Sequence, residues 1–466
     1  MKKIRDDRQD TIAAIATPIG EAAVGVIRIS GKKTFAIADQ IFVSKKGLLP
    51  SRSEAFRALY GHIVNPETGR RLDEILMLVM KAPHTYTCED MIEIHGHGAA
   101  VALHEILGLV IRQGVRLARP GEFTERAFLG GRIDLSQAEA VLDIIHSKTE
   151  ASLRSAVDQL GGSLSRKIRE FRDELLNCLV HVEGSIDFPD EELDIMNEGK
   201  LFERLTQLGQ HLETLLQSAR AGIIFREGLT TVIAGRPNVG KSSLLNALLR
   251  QNRAIVTPLP GTTRDAIEET ANIRGIPVRL VDTAGIQKTD CQIEAEGISR
   301  SRSYLERADL VLFVLDGSEA TREEDRQLLK ELQSRPVIYV INKEDLPQKL
   351  TLDDLFGMKN GRSVVRLSAK TGNGLALLEE AIEHLVWQGK TQAAEGTLVT
   401  HVRHREALLR SLASVHAATE ALSRKAPPEI IAVDLRAAIE ALGEIVGEIF
   451  TEDLLDKIFS QFCIGK

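Results

Sequence analysis

Gly235-Arg236-Pro237-Asn238-Val239-Gly240-Lys241-Ser242 fits the pattern G-x-x-x-x-G-K-[ST]. Glycines at these places let backbone N–H groups come close to phosphate oxygens, and a helix starting here aims its positive end at the same anion. Lys241 would reach the outer phosphates and Ser242 would offer its hydroxyl to Mg²⁺, with Asn238, Val239, Gly240 and Ser243 completing the cradle. Downstream, Asp282-Thr283-Ala284-Gly285 closes an apolar run: Asp282 can hold Mg²⁺ through water and Gly285 can donate its N–H to a γ-phosphate. Between the two lies Pro260-Gly261-Thr262-Thr263-Arg264-Asp265, in which Thr262 or Thr263 can close over Mg²⁺ only when the γ-phosphate is present. Asn342-Lys343-Glu344-Asp345 follows another apolar run, and the Asp345 carboxylate matches the two adjacent N–H donors of guanine, which adenine lacks. Ser368-Ala369-Lys370 then resembles the loop that covers a guanine base.

The elements around these segments are the ones such chemistry needs. Thr230 to Ala234, Val278 to Asp282, Leu310 to Asp316, Val337 to Asn342 and Val364 to Ser368 read as buried strands separated by helical stretches. That alternation predicts a mostly parallel sheet with helices on both faces over residues 226–388. The motifs in this order resemble the translation-factor-related GTPases. One position departs from the Ras-like pattern: the residue after D-x-x-G, where a Gln orients the attacking water, is Ile286. An apolar side chain cannot do that, so another residue must position water, and another cation can take the place of an arginine finger.

The rest of the chain has two further textures. Residues 1–123 carry short apolar runs punctuated by Gly, Pro and Asn, and read as an α+β domain. Helical stripes occupy 124–225 and 389–466: one from Leu135 to Leu160 stopped by Gly161-Gly162, others over Leu164 to Ile186, Leu201 to Ala221 and Leu435 to Ile449. These two segments are expected to form one helical domain into which the α/β domain is inserted. His95-Gly96-His97-Gly98 reads as a glycine-rich turn rather than a metal site, for want of a third and fourth ligand. Thr400-His401-Val402-Arg403-His404-Arg405 reads as a basic, solvated helical face that could touch RNA.

A net charge of -7 argues against RNA binding by bulk electrostatics, so any such contact must be local or supplied by a partner. Cys88, Cys178, Cys291 and Cys463 show no C-x-x-C spacing, which argues against a structural zinc site or a disulfide framework and fits reduced thiols. No run of about 20 apolar residues and no signal-peptide pattern occurs, so the expectation is a cytoplasmic protein with no membrane span.

Several segments are more specific than the nucleotide motifs: Asp10-Thr11-Ile12-Ala13-Ala14-Ile15-Ala16-Thr17-Pro18, Gly25-Val26-Ile27-Arg28-Ile29-Ser30-Gly31, Ala118-Arg119-Pro120-Gly121-Glu122-Phe123-Thr124-Glu125-Arg126-Ala127-Phe128, Ile186-Asp187-Phe188-Pro189 and the terminal Phe462-Cys463-Ile464-Gly465-Lys466. With them the chain resembles, over nearly its whole length, the bacterial tRNA-modification GTPases called MnmE or TrmE. The resemblance implies a K⁺ ion held by Asn238 with oxygens from Thr257, Leu259 and Thr262, and Mg²⁺ held by Ser242 and Thr263. It implies Glu294 as water-positioning acid or base, with Lys241 and Thr263 also catalytic. It implies an N-terminal domain with the folate-binding fold of aminomethyltransferases, in which Arg28, Glu93, Arg132 and Lys466 contact 5,10-methylene- or 5-formyl-tetrahydrofolate. Position 132 is Arg where some relatives are expected to have Lys. Cys463 reads as a small buried thiol, with a reactive thiol near the folate as the other reading. The implied activity adds an aminomethyl or carboxymethylaminomethyl group to C5 of the wobble uridine of certain tRNAs. It acts with an FAD-dependent MnmG or GidA-type partner in a heterotetramer, as a homodimer joined through the N-terminal domain. Two rivals remain: a ribosome-assembly RNA-binding GTPase switch without folate chemistry, and a folate-dependent transferase whose G domain only regulates it.

Overall fold

The computed structural model describes residues 10–187, 198–252, 268–282, 305, 307–332, 335–351, 363–387 and 399–466. Glu294 and the segment from Thr257 to Thr263 lie outside them, as do Thr283, Ala284, Gly285 and Ile286. The chain divides into two compact units, residues 1–142 with 443–466 and residues 143–442. Among the described residues no helix is long and apolar enough to cross a membrane.

The first unit is built on a seven-stranded sheet: β1 (Ile12–Ile15), β2 (Ala22–Ser30), β3 (Phe42–Ser44), β4 (Arg57–Val64), β5 (Arg71–Met80), β6 (Met91–Gly98) and β7 (Arg116–Leu117), in the order β3-β4-β5-β6-β2-β1-β7. Alternation along the strands sends Ile27, Ile29, Met77, Val79, Ile92 and Ile94 to one face. There they pack on α1 (Thr34–Ile41) and α2 (Ala100–Arg112) through Ile37, Ile41, Leu103, Ile106 and Val110. The intervening residues, Arg28 and Glu93 among them, point to the opposite face. The segment His95 to Gly98 is not a turn. It lies within β6, and its glycines are there because neighbours leave no room: a Cβ on Gly96 would sit 2.6 Å from Asp73 Oδ2, and one on Gly98 2.4 Å from the Ala22 carbonyl oxygen.

Two helices expected among the helical segments belong in part to this unit. α3 (Glu122–Leu129) and the first two turns of α4 (Leu135–His146) bury Ala127, Phe128, Leu135, Ala138 and Leu142 against Leu455, Ile458, Phe459 and Phe462 of the C-terminal segment. Burying each large side chain of this kind contributes about 1.5–3 kcal/mol.

In the second unit, α5 (Glu150–Leu160), α6 (Ser163–Asp187), α7 (Glu198–Gln217) and α8 (Ala219–Glu227) precede the inserted sheet. The stripe from Leu135 to Leu160 is two helices rather than one, because Thr149 caps α5 by accepting from Ser152 N. The sheet consists of β8 (Leu229–Ala234), β9 (Glu268–Ile273), β10 (Ile276–Asp282), β11 (Leu310–Asp316), β12 (Val337–Asn342) and β13 (Ser363–Arg366), in the order β13-β12-β11-β8-β10-β9. All neighbours are parallel except β9, an antiparallel edge strand that periodicity does not reveal. Alternate residues of β11 enter two cores. Leu310, Leu312 and Val314 face one that also holds Leu244 and Leu248 of α9 (Lys241–Asn252) and Leu378 and Ile382 of α11 (Leu375–Trp387). Val311, Phe313 and Leu315 face the other, with Leu329 of α10 (Glu323–Glu331).

After the sheet, α12 (Val402–Ser423) packs along α7, and α13 (Pro428–Val446) and α14 (Glu452–Phe459) complete the chain. Both necks of the inserted sheet are tied to one carboxylate. Arg226, leaving α8 toward β8, donates Nε to Asp143 Oδ1 at 2.7 Å. His401, entering α12 on the return, bonds Asp143 Oδ2 at 2.8 Å. Thr400 and His401 are therefore buried joint residues rather than part of a solvated basic face; Thr400 donates to Gln159 Oε1 at 2.8 Å.

Candidate functional site

The phosphate loop is shaped by where β8 ends. A parallel strand between β10 and β11 delivers the chain to Gly235, whose φ is +146° and whose Cβ would meet the Val314 carbonyl oxygen at 2.4 Å. Asn238 and Gly240 also have positive φ, 65° and 99°, and α9 begins at Lys241. Such a turn directs consecutive N–H groups inward as an anion nest at a helix N-terminus. Lys241 Nζ donates to the carbonyl oxygens of Gly235 at 2.8 Å and Arg236 at 2.9 Å, which holds the ammonium inside the loop. Asp282 ends β10 in register with Ile233, two residues before Gly235, and Ser242 lies in the first turn of α9.

Motif residues on the base side also hold the site together. Asn342, at the end of β12 and 3% exposed, donates Nδ2 to the Val239 carbonyl oxygen at 2.8 Å and accepts from Ala369 N at 2.9 Å. One buried amide thus joins the phosphate loop to the Ser368-Ala369-Lys370 loop, and it approaches so closely that a Cβ on Gly240 would lie 2.2 Å from Nδ2. Lys343 adopts φ +65° and its Nζ reaches Asp316 Oδ2 at 2.5 Å, leaving Asp345 exposed beyond it. Ser368 Oγ donates to Asp345 Oδ1 at 2.6 Å, and this bond first, then the charges of Lys370 and Lys343, holds the Asp345 carboxyl below its ordinary range. Asp345 is thus an exposed anion whose position Ser368 fixes. Arg236 is a residue the motif leaves unspecified. Its guanidinium is buried against Asp325 at 3.2 Å and Glu319 at 2.7 Å, which anchors the loop to α10.

In the first unit, all four residues expected to touch a folate converge. Register places Arg28 directly opposite Glu93, and the guanidinium donates to Glu93 Oε1 from Nε at 3.0 Å and from Nη2 at 2.8 Å. Its Nη1 donates to the Gly465 carbonyl oxygen at 3.1 Å. The C-terminal segment is pinned there by Phe123 N donating to Lys466 O at 3.2 Å and by Gly465 at φ +97°, where a Cβ would strike Ile15 O at 2.5 Å. Burial, then the Arg28 charge, pushes the Lys466 ammonium below its ordinary value against the pull of Glu93. Arg28 and Arg132 both lie over the Tyr86 ring, 5.4 Å and 4.7 Å from its centre. Cys463, expected to be a small buried thiol, is exposed, as is the neighbouring Ile464.

A phosphate nest on a parallel sheet with a guanine-matching carboxylate beside it defines a P-loop GTP-hydrolysing enzyme. The profile described as the MnmE helical domain matches residues 135–463, and that of the N-terminus of GTP-binding protein TrmE matches residues 11–132. The tRNA modification GTPase MnmE of Alkaliphilus metalliredigens (strain QYMF) is 47% identical over 457 residues, covering 98% of this chain and 99% of that protein. The protein of the same name from Heliobacterium modesticaldum (strain ATCC 51547 / Ice1) is 48% identical over 463 residues, covering 98% and 99%. Among solved structures, the G domain of the T. maritima FeoB iron transporter is 29% identical, covers 34% of this chain and 97% of that one, and has a TM-score of 0.24. The chain belongs to the MnmE family of tRNA modification GTPases.

Proposed function

We propose that this chain is a K⁺-dependent GTPase acting on tRNA. With an FAD-dependent partner of the MnmG or GidA type, it adds an aminomethyl or carboxymethylaminomethyl group to C5 of the wobble uridine, position 34, using a one-carbon unit carried on tetrahydrofolate. The FAD belongs to the partner. The reading includes a homodimer, a heterotetramer with that partner, a cytoplasmic location and an aminomethyltransferase-like N-terminal fold. Its domains are residues 1–123, 124–225, 226–388 and 389–466, the second and last being parts of one helical domain.

The observation that carries it is the convergence of Arg28, Glu93, Arg132 and Lys466, residues from opposite ends of the chain, in a protein that also carries a phosphate loop and a carboxylate matched to guanine. A switch protein that only binds GTP and RNA has no use for such a cluster. Glu93 can accept from the amide and amino donors of a pterin, while Arg132 and Lys466 offer cationic donors to an anionic tail. The donor set of the nucleotide site also fits its ions. Ser242, with Asp282 through water and Thr263, would present hard oxygen donors to Mg²⁺. The Asn238 carboxamide with oxygens of Thr257, Leu259 and Thr262 would present neutral ones to K⁺. The cations supply compensation for charge on the phosphates. The chain's own residues do the rest: Lys241 exchanges its loop carbonyls for phosphate oxygens, Asp345 selects guanine, and Glu294 positions the attacking water in place of the Gln that Ile286 cannot replace.

The test is GTP turnover in KCl and in NaCl at equal ionic strength. Stimulation of about tenfold or more by K⁺ is expected, on the scale of one electrostatic contact to a transition state. In KCl, Glu294→Ala should lose turnover and keep GTP binding. Equal slow rates in both salts would instead bring forward a ribosome-associated switch.

A further inference from the structure

Tyr86 lies in Ala82-Pro83-His84-Thr85-Tyr86-Thr87-Cys88, a segment to which the proposed chemistry assigns nothing. Its ring carries two guanidinium groups, Arg28 at 5.4 Å and Arg132 at 4.7 Å from the centroid, both within the range of a cation–π contact. Its hydroxyl is fixed by a 2.9 Å bond with Thr124 Oγ1, and Thr124 is fully buried in α3. The Phe123 ring, from the same helix, is 5.5 Å from the Arg28 guanidinium.

The two cations differ in what else holds them. Arg28 commits three of its five N–H donors to Glu93 and the Gly465 carbonyl oxygen. Arg132 is exposed and pairs with no carboxylate among the described residues, so the Tyr86 ring is what restrains its guanidinium. A guanidinium restrained by a cation–π contact has less freedom left to lose when its N–H donors meet an anion. Without the ring, the side chain would have to lose its rotamer freedom at the moment of binding.

We infer that Tyr86 is a positioning residue of the proposed folate site, holding Arg132 ready for the anionic tail of the ligand while it braces Arg28 against Glu93. This inference rests on the folate reading. It makes Tyr86 a determinant of tail recognition rather than of pterin recognition, because the pterin-facing carboxylate is already fixed by Arg28.

The experiment measures binding of 5-formyltetrahydrofolate and of its triglutamate to the full-length chain carrying Tyr86→Phe or Tyr86→Leu, with Tm and GTP turnover recorded for each. The wild-type chain is expected to prefer the triglutamate. Tyr86→Leu should weaken the triglutamate by about tenfold and abolish most of that preference, whereas Tyr86→Phe, which keeps the ring, should stay within about threefold of wild type. GTP turnover should be unchanged in both variants. If Tyr86→Leu binds both ligands as the wild type does, or weakens both equally, the positioning role is overturned even though the site is real. If the wild-type chain binds neither ligand, the folate reading itself falls and takes this role with it.

Discussion

Asp345→Asn should weaken GTP binding by at least about 10²-fold while creating affinity for xanthosine triphosphate. A carboxylate receives both N–H donors on one edge of guanine, and an amide can receive only one and presents its own donor to the other. Sites built on paired hydrogen bonds reject mismatched ligands strongly, because the lost bonds leave buried polar groups unpaired. Xanthine carries a carbonyl where guanine carries its amino group, so the introduced amide would meet an acceptor there. The variant should fold normally: Asp345 is exposed, and Ser368 can donate to an amide oxygen as it does to the carboxylate. Equilibrium binding of the two nucleotides measures the switch, and unchanged GTP affinity would show that the base is read elsewhere.

Arg126→Met should destabilise the first unit by about 3–5 kcal/mol, the scale for breaking a buried ion pair, and lower its Tm by roughly 10 °C. Arg126 is 5% exposed and sits among three carboxylates: Asp10 at 2.6 Å, Glu122 at 3.1 Å and Glu89 at 3.1 Å. Arg116 closes the network by bonding Glu122 at 2.6 Å and Asp10 at 2.7 Å. Removing one cation leaves the buried Glu122 facing Asp10 and Glu89 with only Arg116 to offset them. The same network sets an acid limit. Burial raises the Glu122 carboxyl, but the Arg116 bond, the Arg119 N–H and the Arg126 charge outweigh it, and Asp10 is held down in the same way by Arg116 and Arg126. Carboxyls that are more acidic folded than unfolded contribute stability above their unfolded values of about 4, and lose it as pH falls through the folded ones. Wild-type stability should therefore decline steeply below about pH 4, and Arg126→Met should show a shallower decline from a lower plateau. Urea denaturation from pH 3 to pH 7 gives both.

The nucleotide motifs are legible in the sequence because their chemistry is local. Positive φ at Gly235 and Gly240, a lysine at the start of a helix and an Asp three residues after the end of a strand are relations within a few residues. The strands are legible for a related reason: a parallel strand covered on both faces must be apolar throughout, as β11 is. Antiparallel β9 lacks that signature. His95 to Gly98 reads as a turn because glycines forced by a neighbour's approach look in sequence like glycines that make one. The family motif around Glu122 and Arg126 is visible as a pattern, yet nothing in it discloses a buried charge network with Asp10 and Glu89.

By itself the sequence determined the phosphate loop, the acid expected to match guanine, the parallel core around them and the helical character of the flanking segments. Each follows from backbone conformation or from side-chain periodicity inside one element. Only the tertiary structure decided that Asn342 bridges two loops, that Asp143 ties both necks of the inserted sheet, and that the last residues return to the N-terminal sheet. It also decided that Arg28 meets the Gly465 carbonyl across 437 positions. Such contacts depend on how separately formed elements pack and close, and spacing along a chain carries no measure of that.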